Sequence, residues 1–232
     1  SKVDDAAAVD ENPEQRRVVT VLRADVQRSL AVFAAGSAKK RLTAERDCVG
    51  LNKIRVVEGP GGTGKTFTST LFITAASTGV AKTEQLNNRS SMVRTLHCAW
   101  TNQALRVMLE RLCSYPAQAA REVSLVVDFQ HNHSNHHMCH PGVRFMTLEA
   151  RAIADWESMW ADSIASPVHV FVTVGKAAAV ICDYGTPVRT WLGRFCLCHV
   201  DEATQVLRSN SLHLYRFLTN HGKLLLSGDT FQ

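Results

Sequence analysis

Lys65 stands near the end of GPGGTGKT, residues 59–66, a run of small residues that follows the apolar segment KIRVVEG. Gly59, Gly64, Lys65 and Thr66 fit the spacing G-x-x-x-x-G-K-[ST]. In that spacing the glycines let backbone N–H groups curl around phosphate oxygens, the lysine reaches the β and γ phosphates, and the hydroxyl ligates Mg²⁺. The candidate phosphate-binding residues are therefore Gly59, Pro60, Gly61, Gly62, Thr63, Gly64, Lys65 and Thr66. A second chemical set, DEATQ, closes the apolar run FCLCHV. Asp201 is placed to hold Mg²⁺, and Glu202 to act as general base on an attacking water. Alone, an Asp-Glu pair reads equally well as a solvated turn or the start of a helix. With a phosphate loop upstream, the chemical reading is the stronger one.

Such groups need elements to aim them. Five short apolar runs, KIRVVEG, TLHCAWTN, HVFVTVGK, FCLCHVDEA and KLLLSGD, each pass directly into small or polar residues. Between them lie stretches of helical period, such as Leu105, Leu109 and Leu112, or Leu148, Ala152, Trp156 and Trp160. Apolar strands alternating with helices predict an α/β fold with a mostly parallel sheet covered on both faces. In such a sheet the residues beyond the carboxyl ends of the strands converge on one edge, where ligands bind. A further helix is predicted from Asn12 to Gly36, with Val18, Leu22, Val26, Leu30 and Phe33 on its apolar stripe.

The acidic, Ala-rich residues 1–11 are expected to be a disordered lead-in, and residues 12–232 one domain. Two segments read as insertions, a polar basic stretch at about 37–50 and a longer one at about 114–165 that carries its own helix. Lys and Arg number 26 against 21 Asp and Glu, a mild excess that permits a polyanionic partner without demanding one. Seven cysteines with no CxxC pair sit mostly inside apolar runs and read as reduced core residues, which points to the cytoplasm or nucleus. No stretch is long and apolar enough to cross a bilayer, so no membrane partner is expected.

GPGGTGKT, VDEATQ and LLLSGDTFQ, in that order, resemble motifs I, II and III of superfamily 1 helicases, whose pattern is GxxGxGKT, DEAxQ and GDxxQ. The DEATQ form resembles the branch that includes the nonsense-mediated-decay helicase. TLHCAWTNQALRVMLERL and VFVTVGKAA are similar to that branch's motifs Ia and Ic, and NPEQRRVV to its glutamine motif. The resemblance implies a RecA-like P-loop NTPase domain, the first of two, that couples ATP hydrolysis to unwinding or 5′ to 3′ translocation on single-stranded RNA or DNA. It implies ATP and Mg²⁺ as cofactors, served by Lys65, Thr66, Asp201 and Glu202. Gln205 and Gln232 would sense the γ-phosphate and the attacking water, and Gln15 would read adenine. Thr101, Asn102, Thr173 and Lys176 would touch the nucleic-acid backbone. Hydroxyl, amide and ammonium donors suit phosphate oxygens, and the same residues could equally be ordinary strand-end caps.

The chain departs from the family pattern in two ways. Gln15 lies farther ahead of Gly59 than is usual, and the second RecA-like domain with its arginine finger is expected to be missing from this chain. The isolated chain is expected to bind ATP and hydrolyse it poorly, since such fingers contribute about 10³ to 10⁵ in rate. A fragment or degenerate half that serves as an ATP-dependent nucleic-acid or protein binding module is the alternative.

HNHSNHHMCH, with His131, His133, His136, His137, Cys139 and His140, could supply a zinc or copper set. Its spacing matches no closed tetrahedral module, and a variable surface loop is the favoured reading. Trp156 and Trp160 continue an apolar stripe and read as packing residues, whereas Trp100, beside Thr101, is the better candidate for base stacking.

Overall fold

The computed structural model describes residues 13, 15–18, 20–21, 24, 53–69, 94–114, 124–127, 143–146, 169–182, 195–206, 210 and 213–229. Among these described residues seven strands make one sheet: β1 (Ile54–Glu58), β2 (Thr95–Ala99), β3 (Ser124–Val127), β4 (Val143–Met146), β5 (His169–Thr173), β6 (Phe195–Val200) and β7 (Leu218–Gly228). Their spatial order is β1-β7-β6-β2-β5-β3-β4, and every pairing is parallel. The five apolar runs of the sequence are β1, β2, β5, β6 and β7. The stretch at 114–165, expected to be an insertion with its own helix, supplies β3 and β4 to the sheet. These two are four-residue strands, too short for periodicity to separate them from a loop.

Burial follows from the parallel arrangement. Both faces of an interior parallel strand are covered, so its residues need no alternation. All of β2 is buried, as is β5 up to its last residue. At the sheet's end, β1 alternates between exposed and half-buried positions. One face carries the larger core, in which Leu96, Cys98, Val170, Val172, Cys198 and Val200 pack with Phe217 and Leu224. On the other, Ala99 and Phe171 receive the apolar stripe of helix α1 (Asn102–Cys113), made of Leu105, Met108, Leu109 and Leu112. Helix α2 (Val174–Cys182) starts directly from the end of β5.

The described part of the helix expected from Asn12 to Gly36 is helical, at 13, 15–18, 20–21 and 24. Leu22, Val26, Leu30 and Phe33 lie outside the described residues, as do the lead-in at 1–11, the polar stretch at 37–50, the histidine cluster, Trp156, Trp160 and Gln232. Among the described residues no helix is long and apolar enough to cross a membrane. Cys98, Cys113, Cys196 and Cys198 are free thiols, and burial pushes those of Cys98, Cys113 and Cys196 up in pKa, the last to about 11.

Candidate active site

Gly59 leaves β1 with its backbone N–H on the Gly228 carbonyl at the end of neighbouring β7 (3.3 Å), which moors the loop to the sheet. The loop then turns through Gly62 and Gly64 at φ +80° and +79°, a region costly for residues with a Cβ. At Gly64 a Cβ would also lie 2.8 Å from Gln15 Nε2. Internal bonds hold the turn: Thr63 Oγ1 donates to the Pro60 carbonyl (2.8 Å), and Thr68 N–H to the Gly64 carbonyl (2.8 Å), opening the helix that runs through 65–69. A helix N-terminus beneath curled N–H groups favours an anion. Lys65 Nζ donates to the carbonyls of Gly59 (2.5 Å) and Pro60 (2.8 Å), so the ammonium already sits over the loop.

The acidic strand lies one strand away from the loop. β7 intervenes between β1 and β6, and at the usual strand spacing this separates the two by about 10 Å. Side chains close that gap. Thr66 Oγ1 donates to Asp201 Oδ2 at 2.8 Å across 135 positions of sequence. Asp201 is 5% exposed, and its backbone N–H extends the ladder to the Cys98 carbonyl (2.9 Å). The carboxylate and the hydroxyl are hard oxygen donors within one coordination sphere of each other, a set that fits Mg²⁺.

After Asp201 the chain breaks sharply. Glu202 adopts φ 52°, ψ 42°, the one described non-glycine residue at positive φ, and leads into a short 3-10 turn at Ala203–Gln205. Left-handed backbone in a residue with a Cβ is uncommon and gathers at functional sites. Glu202 and Gln205 are both exposed, so the carboxylate next to the buried Asp201 remains open to solvent. Gly228 allows the turn to pack closely. A Cβ there would lie 3.2 Å from Thr204 N and Cγ2 and 3.4 Å from Ala203 N, so the glycine at the end of β7 serves both the loop and the acidic turn.

Gln15 also reaches the site. Its Nε2 donates to the Thr63 carbonyl (2.9 Å), which joins the first helix to the phosphate loop. The candidate nucleic-acid residues collect at the same carboxyl edge, because Ala99 and Thr173 are register partners on β2 and β5. Thr101 Oγ1 accepts from Ala104 N (3.1 Å) and caps α1, and Thr173 Oγ1 accepts from Lys176 N at 3.4 Å. Both hydroxyls thus do the capping that was the alternative reading, and each keeps its O–H to donate. Thr101, Asn102 and Trp100 are exposed.

Sequence reasoning missed what stands behind Asp201. Ser227 Oγ donates to Asp201 Oδ1 (2.8 Å), and His199 Nε2 lies 3.0 Å from Ser227 Oγ. On the same face, His97 Nε2 and His169 Nδ1 are 3.1 Å apart, and the His97 ring stacks on Phe171. Burial holds the three imidazoles below the ordinary histidine range, His169 at about 4 and His97 well below normal; Asp201 partly offsets the effect at His199. The available signal was a polar residue set among apolar ones: His97 in TLHCA, His169 in HVFVT, His199 in FCLCHV and Ser227 in LLLSG. Among the described residues, no group of three or more His, Cys, Asp or Glu is arranged to hold a metal ion.

Residues 37–165 match the family model described as AAA domain. They contain the phosphate loop and the first four strands. No curated protein matches the chain. Over half of the sequence lies under that model, and the fold returns an acidic strand end from outside it to the phosphate loop. The chain therefore belongs to the AAA domain family in the form carried by superfamily 1 helicases, and is a P-loop ATPase module of helicase type.

Proposed function

We propose that this chain is the ATP-binding motor domain of a superfamily 1 helicase, coupling ATP hydrolysis to unwinding or translocation on single-stranded RNA or DNA, together with a second RecA-like domain. The observation that carries the reading is the 2.8 Å contact between Thr66 and Asp201, which joins the phosphate loop to an acidic turn beside an exposed glutamate. Thr101, Asn102, Thr173 and Lys176, on the same sheet edge, would grip the nucleic-acid backbone.

In this reading the loop N–H groups and the helix starting at Lys65 bind the phosphates, and the Lys65 ammonium exchanges its loop carbonyls for β and γ oxygens. Mg²⁺, held by Thr66 and Asp201, would neutralise phosphate charge as the terminal bond breaks. Glu202 takes the proton of the attacking water, and Gln205 senses the terminal phosphate. Gln15 reads adenine from its place against the loop, and Gln232 would complete the water site.

ATP turnover measured with and without single-stranded RNA and DNA tests the proposal. Lys65→Ala is expected to lose nucleotide binding or turnover. Glu202→Gln should bind ATP like the parent and lose at least a hundredfold in rate, the usual contribution of a general base. Retained turnover in Glu202→Gln would refute its role. ATP binding that responds to a polymer without turnover would favour an ATP-dependent binding module.

A further inference from the structure

Asp201 is held at both carboxylate oxygens. Oδ2 accepts from Thr66 Oγ1 on the phosphate-loop helix, and Oδ1 from Ser227 Oγ on β7, each at 2.8 Å. Ser227 is fully buried, and its oxygen also lies 3.0 Å from His199 Nε2 and 3.4 Å from the Val200 carbonyl. The serine has one hydrogen to give. It goes to the shorter, charged contact with Asp201, because hydrogen bonds to an ionised acceptor are the stronger ones. The serine oxygen must then accept, so the proton of His199 is on Nε2. That tautomer leaves a lone pair on the buried Nδ1, which has no hydrogen-bond partner among the described residues. The polarity therefore runs one way, from the His199 N–H to the Ser227 O–H to the carboxylate.

The chain of bonds addresses a specific mechanical problem. Asp201 is the first residue past the ladder of β6, and the next residue departs at positive φ. Its backbone alone does not fix the carboxylate plane, which turns about a soft sp³–sp² torsion. Thr66 fixes one oxygen, but its hydroxyl belongs to the other half of the site. Ser227 fixes the second oxygen from a residue inside β7, where neighbouring Leu226 is in register with Val200 of β6 and Val56 of β1. The strand between loop and acid is thus also the strand that orients the acid.

We infer that Ser227, backed by His199, is a positioning residue that sets the Asp201 carboxylate for its divalent cation. This rests on the reading above that Asp201 and Thr66 serve Mg²⁺. Outer partners of metal-binding carboxylates commonly contribute tenfold or more to metal affinity. Ser227 is buried behind Asp201 and acts through its carboxylate, so its effect should appear in the magnesium dependence of binding, not in nucleotide affinity without metal.

The test titrates Mg²⁺ into the full chain with a fluorescent ATP analogue, reading the magnesium midpoint, analogue affinity in EDTA and the melting temperature. Ser227→Ala is expected to raise the magnesium midpoint about tenfold with affinity in EDTA unchanged. His199→Phe should shift it in the same direction by less, and Ser227→Thr, which keeps the hydroxyl, should stay near the parent. Should Ser227→Ala not fold, Ser227→Cys, with its weak donor, is read in its place. Asp201→Asn separates the two claims. If it raises the midpoint while the Ser227 variants do not, the positioning role is overturned and the site reading stands. If Asp201→Asn leaves the midpoint unchanged, the site reading fails and this inference with it.

Discussion

Gly64 shows how one residue type can be required twice. Its φ of +79° lies where a Cβ meets the backbone, and that same Cβ would press on Gln15 Nε2 at 2.8 Å. Gly64→Ala is expected to cost about 1 to 2 kcal/mol from the left-handed backbone alone, and to displace Gln15 from the Thr63 carbonyl. Urea unfolding gives the first quantity and binding of a fluorescent ATP analogue the second. A variant as stable as the parent would show that the loop relaxes out of this conformation. The Gly64 signature was legible from the G-K-T spacing alone. The Gln15 contact was not, because a hydrogen bond across 48 positions leaves no local trace.

Helix α1 illustrates how an element's end constrains a functional reading. Thr101 is extended at φ −116°, ψ 154°, and its hydroxyl accepts from Ala104 N, the geometry of an N-cap. Thr101→Ala should destabilise the domain by about 1 kcal/mol, and Thr101→Ser by far less. If the O–H also reaches nucleic-acid phosphate, Thr101→Ser will retain polymer binding while Thr101→Ala loses it beyond what the stability change explains. Filter binding of single-stranded RNA and DNA beside chemical denaturation separates the two roles. The strands show a similar division. β1, β2, β5, β6 and β7 were legible because apolar runs in a two-sided sheet have no competing local structure. β3 and β4 were not, since four residues flanked by polar sequence become strands only through the neighbours that pair with them.

At the scale of the molecule, the sheet buries a polar row inside an apolar core. His97, His169 and His199 are each at most 2% exposed, and burial keeps their pKa values low. The unfolded chain takes up protons on these residues below about pH 6.5, whereas the folded chain does not. Protons therefore favour unfolding, and stability present above pH 6.5 is lost as the pH falls toward the folded value of about 4 at His169. Each histidine that stays neutral contributes a slope of about 1.4 kcal/mol per pH unit. Urea unfolding at pH 7.5, 6 and 5 should show the decline, reduced in His169→Gln; a flat profile would mean that the rings charge without unfolding.

The sequence by itself determined the phosphate loop, the acidic pair and five of the strands, since each is written in adjacent residues: glycines that permit a turn, a lysine and hydroxyl at fixed offsets, apolar runs ending in polar groups. Only the tertiary structure decided that β7 lies between β1 and β6, that Thr66 therefore reaches Asp201 across a strand, and that Ser227 and Gln15 support the site. The physical reason is that a parallel sheet joins its strands through crossovers, so the order of strands is set by which edges and faces bury one another. That selection is made among distant residues, and no local run of sequence records it.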